Sequence, residues 1–301
     1  MKDRRMLAIV NRAAGGGKCG KLAHKALEQL RAAGLQVDAV DTAAPGDATR
    51  LAREGYSQGY RQFIAVGGDG TAYEIINGLF PHAANRERVA LGFLPLGTGN
   101  SFLRDFSKDG LKHATEAILS GKRRPCDVIR VTHAEGELHY INLLSVGFTA
   151  NVTAMANRRF KGLGELGYIL GVLGSLALLR RRAFPLRVDE AVDFEGGRCL
   201  FLAFSNSKFT GGKMMIAPKA ETNDALVEFV RWGPIGRLGL LRNFPKLFDG
   251  THLAHPMASR KGARRIEFRL DGPVDVMVDG EVLTLDLRTI EVIPGALDVM
   301  A

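Results

Sequence analysis

The sequence predicts two domains of different class, an α/β domain followed by a β-rich domain. A chain of 301 residues is long for one domain and natural for two. Strand-like and helix-like segments alternate over residues 1–125, which indicates a parallel sheet flanked by helices. After Pro125, apolar and polar residues alternate, as in antiparallel strands. We therefore place the domains at 1–125 and 126–289, and leave open whether the last strand, residues 290–301, returns to the first domain.

The individual elements follow from these periodicities. In the first domain, strands are predicted at Met6–Val10, Leu35–Asp41, Gln62–Val66 and Val89–Leu94, and helices at Lys21–Ala33, Asp47–Gln58, Tyr73–Phe80 and Leu111–Leu119. In the second, the alternating segments are DVIRVTH, FPLRVDEAVDF, RRIEFRL, VDVMVDGEVLTLDL and RTIEVI. Ligands of open α/β sheets bind beyond the carboxyl ends of the strands, so those ends are the first place to search for function.

Composition restricts the classes of ligand that the protein is expected to bind, but it does not select one of them. The chain has 41 Lys and Arg against 32 Asp and Glu, a formal charge of +9, which suits nucleic acid, anionic lipid or phosphorylated ligands. Its three cysteines are far apart and form no CxxC pair, which argues for a reducing compartment and against a zinc site. The basic run Lys122–Arg124 lacks interleaved aromatic residues, so nucleic acid is not the predicted partner.

A first glycine-rich loop, VNRAAGGGKCGKL, almost spells a Walker A phosphate loop between a strand and a helix. Leu22 stands where that motif needs a hydroxyl for magnesium, and it has no oxygen to offer a hard cation. The motif therefore does not predict a true Walker A loop. A looser phosphate-facing turn, with Asn11 at the strand end, and a basic surface loop both stay open.

A second loop, GGDGT at Gly67–Thr71, ends the third strand. Its three glycines permit φ > 0 and let the backbone approach a phosphate, and a helix starting near Thr71 or Ala72 would point its positive end there. The alternative is a turn in which Thr71 caps the helix, but one such cap needs one glycine. A third loop, GTGN at Gly97–Asn100, ends the next strand. Neighbouring strand ends would place the two loops side by side, as in a nucleotide cleft.

The sequence resembles the diacylglycerol kinase catalytic family of lipid kinases, which includes sphingosine and ceramide kinases, and is most similar to its soluble bacterial members. The segments that carry the resemblance are GGDGTAYEIINGL, PLGTGNSF, INLLSVGFTANV, GGKMMIAPKAETNDALVEF and VMVDGEVL. The resemblance implies a Rossmann-like three-layer α/β nucleotide domain, of NAD-kinase or diacylglycerol-kinase type, and a C-terminal antiparallel β-rich sandwich, with the active site between them. It also implies transfer of the γ-phosphoryl group of ATP to a lipid hydroxyl, with Mg²⁺.

The resemblance assigns functional residues by position. ATP contacts fall on Asn11, Thr42, Gly67, Gly68, Asp69, Gly70, Thr71, Ala72, Tyr73 and Thr98. A magnesium site falls on ETNDAL, with the Asp224 carboxylate and the backbone carbonyls of Glu221 and Leu226 as ligands. Glu281 is the implied proton acceptor, and Asp69 would hold magnesium or the accepting hydroxyl. From the residues alone, Thr42 also reads as a helix cap, Asp224 as an ordinary turn, and Glu281 as a solvated residue after an Asp-Gly hairpin turn.

Three positions depart from the family pattern. Ala225 stands where the family usually has Gly, and would be strained if that position needs φ > 0. Ser101 replaces a frequent Asp, and Tyr73 replaces a more usual Asn. These departures motivate one alternative function, a catalytically weak lipid-binding or regulatory protein. A second alternative is an NAD kinase, which shares GGDGT and a β-rich second domain.

The segment 157–182 bears on the membrane. Its uninterrupted apolar core, Leu166–Leu179, is too short to span a bilayer. It is interpreted either as a helix with a core-facing stripe, which we favour, or as an apolar face with basic ends on anionic headgroups. The sequence thus predicts a cytoplasmic protein, peripheral at the inner membrane surface, with a lipid substrate. The particular lipid and the oligomeric state stay open, although the family includes dimers.

Overall fold

A computed structural model describes residues 5–83, 88–147 and 181–301 of the chain. The described residues form two compact units: unit 1 draws on Met1–Asp127 and Gly295–Ala301, and unit 2 on Val128–Pro294. Most of the basic-ended apolar segment at 157–182 lies outside the described residues. Within the described parts of the chain, no helix is long and apolar enough to cross a membrane.

Unit 1 is an α/β unit built on a parallel sheet. Its strands are β1 (Arg5–Val10), β2 (Gln36–Asp41), β3 (Gln62–Gly67), β4 (Val89–Pro95) and the C-terminal end of β19 (Leu287–Met300). Its helices are α1 (Lys18–Ala32), α2 (Asp47–Ser57), α3 (Asp69–Leu79) and α4 (Gly110–Ser120), with 3-10 turns at Ala14–Gly17 and Phe102–Asp105. The strand order is β2-β1-β3-β4-β19, and all four pairings are parallel.

Side chains that alternate along the strands pack against helices on both faces of this sheet. Ala8 and Val10 of β1 join a core cluster with Leu27 of α1 and Ile118 of α4. The intervening Leu7 points at α2, because a Cβ on Gly55 would come within 2.4 Å of its side chain. The predicted three-layer α/β class is thereby confirmed for this unit. Strands buried on both faces explain the almost continuous apolar runs that identified them in the sequence.

Unit 2 is an antiparallel β unit. The strands are β5 (Arg124–His133), β6 (Gly136–Tyr140), β7 (Leu143–Gly147), β8 (Arg182–Ala183), β9 (Leu186–Val188), β10 (Arg198–Cys199), β11 (Phe201–Ser205), β12 (Phe209–Thr210), β13 (Met214–Met215), β14 (Val227–Trp232), β15 (Ala258–Ala263), β16 (Arg265–Phe268), β17 (Val274–Val278) and β18 (Glu281–Leu285). Six of them form an antiparallel sheet in the order β15-β14-β11-β7-β17-β18. In addition, β5 pairs with β6, β9 pairs with β16, and β16 pairs with β19, all antiparallel. This confirms the predicted antiparallel β class.

Within the described part of unit 2, a helical segment interrupts the strands. It consists of α5 (Arg237–Asn243), which continues directly into a 3-10 turn at Phe244–Leu247, and a further 3-10 turn follows at Thr251–Ala254. The segment packs on a core cluster that contains Trp232, Leu240 and Leu247. One predicted strand is much shorter than expected: of FPLRVDEAVDF, only Leu186–Val188 is a strand, because the chain turns after Val188 with Asp189 at a φ of 51°.

Candidate functional site

The strand order of unit 1 creates a switch point between β1 and β3. The chain leaves β1 toward β2 on one side, and returns to β3 on the other, so the loops after β1 and β3 diverge and leave a crevice at the carboxyl edge. The Asn11 amide donates to the Val66 carbonyl at 3.0 Å, and the Thr42 amide to the Val10 carbonyl at 2.9 Å. The candidate residues after β1, β2 and β3 therefore lie along one edge of the sheet.

The GGDGT loop turns directly into α3. The helix begins at Asp69, two to four residues earlier than predicted, with Gly68 as N-cap and no side-chain cap on its first N–H groups. Thr71 therefore does not cap the helix. It is buried in the first turn, where its hydroxyl accepts a 3.3 Å hydrogen bond from the Asn11 side chain. Gly67 is required because a Cβ there would lie 2.3 Å from the Thr71 Oγ1.

The GTGN loop lies directly against GGDGT. The Gly97 amide donates to the Gly67 carbonyl at 2.8 Å, and a Cβ on Gly97 would lie 2.5 Å from the Gly68 Cα. Backbone thus touches backbone where the two loops meet, which only glycine permits. Asn100 adopts a φ of 43° and its amide group closes the loop on the Gly97 carbonyl at 2.7 Å. Thr98 is exposed at the loop tip.

Asp69 links the same two loops through its side chain. Its Oδ2 accepts from the Ser101 amide at 2.8 Å and its Oδ1 from the Phe102 amide at 3.4 Å. Burial raises the pKa of the Asp69 carboxyl above its usual range, and the bonds from Ser101 and Phe102 oppose that shift. Asp69 is therefore a poorly hydrated carboxylate that is oriented by the second loop.

The Walker-like loop reaches the same place. Gly15 has a φ of 64°, and a Cβ there would come within 2.6 Å of the Leu96 carbonyl oxygen, just before the GTGN loop. Helix α1 starts at Lys18, three residues before the predicted start, after an N-cap Gly17 that provides no side-chain cap. Three glycine-rich segments from separate strand ends thus converge in unit 1.

Glu74 is a site residue that sequence reasoning missed. Its carboxylate accepts from the Gly46 amide at 2.9 Å and the Ala48 amide at 3.0 Å, so a side chain of α3 caps α2. The Thr49 hydroxyl adds a 2.9 Å bond to the Glu74 carbonyl. The loop that contains Thr42 is consequently fixed to the GGDGT helix. Gly46, and not Thr42, is the N-cap of α2, so the helix-cap interpretation of Thr42 is wrong.

The remaining predicted residues of this loop occupy the first turn of α3. Gly70 and Ala72 lie in that turn, and Tyr73 is partly buried on the same helix. The Tyr73 carbonyl accepts from the Asn77 side chain at 2.8 Å. We have no structural account of why a tyrosine stands at this position.

In unit 2, the predicted magnesium ligands share one exposed turn. The Asp224 Oδ1 accepts from the Leu226 amide at 3.0 Å, and both Glu221 and Asp224 are exposed. Ala225, between Asp224 and Leu226, has a φ of 61°, so it holds the left-handed conformation that favours glycine. The turn offers carboxylate and carbonyl oxygens, which fit a hard cation. Over the described residues, no group of three or more His, Cys, Asp or Glu side chains has a metal-binding arrangement.

Glu281 lies on a different turn of unit 2. It is the first residue of β18, exposed, and follows the two-residue hairpin turn Asp279–Gly280 whose φ values are 46° and 94°. Asp279 is buried, and its carboxylate accepts from the Leu143 amide at 2.9 Å and the Ile141 amide at 3.4 Å. Asp279, two residues before the predicted base Glu281, therefore anchors this hairpin to the start of β7.

The architecture defines a two-unit protein whose α/β unit gathers three glycine-rich loops at the carboxyl ends of its parallel strands. Residues 5–131 match the family described as the diacylglycerol kinase catalytic domain, and residues 142–301 match the YegS C-terminal, NAD kinase β-sandwich-like domain. The chain therefore belongs to the diacylglycerol kinase family of lipid kinases.

Individual relatives agree with this membership. A protein of Mycobacterium tuberculosis named "Diacylglycerol kinase" is 27% identical over 98% of this chain and 94% of its own length. A Pseudomonas aeruginosa protein named "Probable lipid kinase YegS-like" is 30% identical over 99% and 94%. A diacylglycerol kinase structure from Bacillus anthracis superposes with a TM-score of 0.73 at 21% identity, over 100% of this chain and 97% of that one, which shows the shared fold.

Proposed function

We propose that the protein transfers the γ-phosphoryl group of ATP to the hydroxyl group of a lipid, diacylglycerol or a related lipid. The observation that carries the proposal is the contact of the GGDGT and GTGN loops at the carboxyl ends of β3 and β4, where Gly97 lies directly on Gly67 and Gly68. Nucleotide phosphates are bound at such places because glycine backbone and helix N-termini can approach them closely.

The residues of unit 1 fit ATP. The first turn of α3 has no side-chain cap, whereas the Lys18 and Gly20 amides of α1 already donate to backbone carbonyls. Anions are stabilised by such N-termini. Asn11, Thr42, Thr98 and the Gly67–Tyr73 run are the proposed ATP contacts, and Asp69 holds the two loops in register.

Unit 2 supplies the acceptor chemistry in this proposal. Glu281 accepts the hydroxyl proton as the lipid oxygen bonds to the γ-phosphorus and the bond to ADP breaks. Glu221, Asp224 and Leu226 would hold Mg²⁺, which neutralises phosphate charge when bound. The positioning of the hydroxyl and the phosphates supplies most of the rate, since a lipid alcohol loses its proton late in the transfer.

We also place the protein in the cytoplasm, peripheral at an anionic membrane surface, because its acceptor would reside in the bilayer and its formal charge is +9. Membranes rich in anionic lipid attract such a protein, and attraction of this kind weakens as salt is added. Residues 142–301 match a domain described as NAD kinase β-sandwich-like, so NAD is the competing acceptor that must be tested against lipid.

The test is transfer of γ-labelled phosphate from ATP into a total lipid extract, with NAD as the competing acceptor. We expect labelled lipid, and loss of most of it in Glu281→Gln and in Asp69→Asn. Glu190→Gln and Asp109→Asn are the matched controls, because both carboxylates are exposed. Label in NAD in preference to lipid, or vesicle binding without any transfer, would reject the proposal. Unchanged transfer in both site variants would reject the residue roles.

A further inference from the structure

The helical segment 237–248 of unit 2 has two apolar faces, and only one of them is covered. The inward face contributes Leu240 and Leu247 to the core cluster around Trp232. The outward face carries an apolar stripe of Leu238, Leu241, Pro245 and Phe248, all of them exposed. We call these four residues the outward stripe. Their spacing of three, four and three residues places them on one side of the helix.

The exposure of this stripe is unusual within the molecule. Leu238 is 83% exposed, Leu241 42% and Phe248 39%, and Met257 nearby in sequence is 50% exposed. Leu238, Leu241, Phe248 and Met257 make up half of the eight large apolar side chains that are exposed in the described part of the chain. Single exposed apolar residues need no explanation, but a row of them at helical spacing indicates a surface that another molecule covers.

Cations border the stripe. Arg237, Arg242 and Lys246 are exposed on the same segment. Arg181 approaches its start, with a guanidinium nitrogen 3.4 Å from where a Cβ on Gly236 would lie. The one acid next to the segment, Asp249, accepts two hydrogen bonds from Thr251. The surface is therefore apolar along its centre and positive at its border.

We propose that the outward stripe docks this kinase onto an anionic lipid bilayer. Apolar residues of such a helix enter the boundary between headgroups and acyl chains, while Lys and Arg remain among the phosphates. The inference rests on the proposed function and deepens it, since it names the surface through which the enzyme would approach a lipid hydroxyl.

The charge pattern favours a bilayer over the other occupants. A two-fold contact with a second copy would set Arg242 and Lys246 of one copy against the same positive surface of the other. Single-stranded nucleic acid needs stacking aromatic residues, and the stripe contains only Phe248. An anionic bilayer satisfies the apolar centre and the positive border together.

A fluorescent label can locate the contact directly. The three native cysteines are buried and form no disulfide bond, so an introduced surface cysteine can be labelled selectively. We expect Leu238→Cys, carrying an environment-sensitive dye, to shift to the blue on vesicles of phosphatidylcholine mixed with phosphatidylglycerol. The shift should be small on phosphatidylcholine alone. Val192→Cys is the matched control, because Val192 is 88% exposed in unit 2 and lies outside the stripe. Equal shifts at both positions, or none at Leu238, would overturn the proposal.

Vesicle sedimentation then separates the apolar and the charged contributions. Leu238→Gln with Leu241→Gln should weaken binding to the mixed vesicles about tenfold or more, and Arg242→Glu with Lys246→Glu should do the same and remove its salt dependence. Lys261→Glu with Arg264→Glu makes the same change of charge elsewhere in unit 2, and should have a much smaller effect. Equal losses in both charge pairs would mean that net charge, and not this surface, binds the vesicles.

Two outcomes distinguish failure of this inference from failure of the proposed function. Wild-type protein that phosphorylates detergent-dispersed lipid, but binds no vesicles, refutes the docking surface and leaves the kinase intact. Wild-type protein that binds mixed vesicles through Leu238, but transfers no phosphate, refutes the kinase and leaves the surface. Self-association that disappears in the Leu238→Gln and Leu241→Gln variant, without vesicle binding, would assign the stripe to a second copy.

Discussion

The candidate residues of unit 1 and unit 2 lie on different kinds of local structure. In unit 1 they lie on glycine-rich loops that touch each other through backbone, and the partly buried carboxylate of Asp69 joins them. In unit 2 they lie on exposed turns whose left-handed positions are taken by Ala225 and Asp279. A rigid cleft of backbone donors suits a ligand with fixed phosphates, whereas exposed carboxylates on turns suit a cation and a proton transfer.

The contrast extends to how each unit tolerates substitution. A side chain added at Gly15 or Gly97 in the loops of unit 1 meets backbone, which cannot move aside, while the turns of unit 2 already carry side chains in left-handed conformations. Those two loop positions should therefore fail under small additions, and the turns should gain from small removals. The following predictions probe this difference, from the largest expected effect to the smallest.

Gly97→Ala should have the largest effect. Its Cβ would lie 2.5 Å from the Gly68 Cα and 2.6 Å from the Gly68 nitrogen, so one of the two loops must shift. We expect the free energy of unfolding to fall by about 3 kcal/mol, measured by urea denaturation. Gly196→Ala is the control, because its Cβ would approach nothing closer than 4.0 Å. A Gly97→Ala protein as stable as this control would show that the loop contact is not rigid.

Acid should weaken unit 2 through His139, which is 1% exposed on β6. Burial, with a contribution from Arg130, lowers the pKa of His139 from its ordinary 6.5 to about 4. The unfolded chain binds the proton first, so the stability that neutral His139 contributes is complete above pH 6.5 and is lost as the pH falls toward 4. The loss should reach about 3 kcal/mol.

The check is urea denaturation between pH 7 and pH 4. His139→Asn should flatten the acid slope whatever it does to stability at pH 7, and His82→Asn, at an exposed position, should leave the slope unchanged. A slope that survives in His139→Asn would assign the acid sensitivity to other groups. Asp69 acts in the opposite direction, because a raised carboxyl pKa contributes stability that is lost as the pH rises.

Glu74→Gln should raise the KM for ATP about fivefold while kcat changes little. The variant replaces one carboxylate oxygen by an amide that cannot accept from the Gly46 or Ala48 amide, so the loop after Thr42 loosens at a cost of about 1 kcal/mol. Glu54→Gln is the control, since Glu54 makes an exposed ion pair with Arg50. A fall in kcat at constant KM would contradict a role in positioning the nucleotide loop.

Ala225→Gly should stabilise unit 2 slightly. Glycine relieves the left-handed strain at a φ of 61°, and the greater freedom of glycine in the unfolded chain offsets part of the gain. The net effect should be an increase of about 0.5–1 kcal/mol in the free energy of unfolding. Ala191→Gly, at a position outside the left-handed region, should lower it instead. If both substitutions destabilise the protein, Ala225 is not strained.

The fold class could be predicted from the sequence because local residue patterns determine where strands, helices and turns form. Buried strands appear as apolar runs, and glycine clusters mark their ends, so the GGDGT and GTGN loops could be located from residues 67–71 and 97–100 alone. Contacts between distant segments have no local signature. Glu74 caps α2 from another helix, and Asp279 accepts from amides more than 130 residues away in the chain. The early start of α3 was missed because the glycines of GGDGT have low helix propensity, although a glycine N-cap and an aspartate in the first turn are both typical of helix starts.

The most direct test of the account is equilibrium binding of ATP to Gly68→Ala. Gly68 has an extended backbone with a φ of −116°, which alanine can adopt, and its Cβ would rest at 3.4 Å from the Gly97 Cα, beside the Thr98 amide at 3.9 Å. The fold should therefore survive, while the methyl group occupies the space between the loops. The account predicts thermal unfolding close to that of wild type, and ATP affinity reduced at least about tenfold by calorimetric titration. A folded Gly68→Ala protein that binds ATP as tightly as wild type would contradict it.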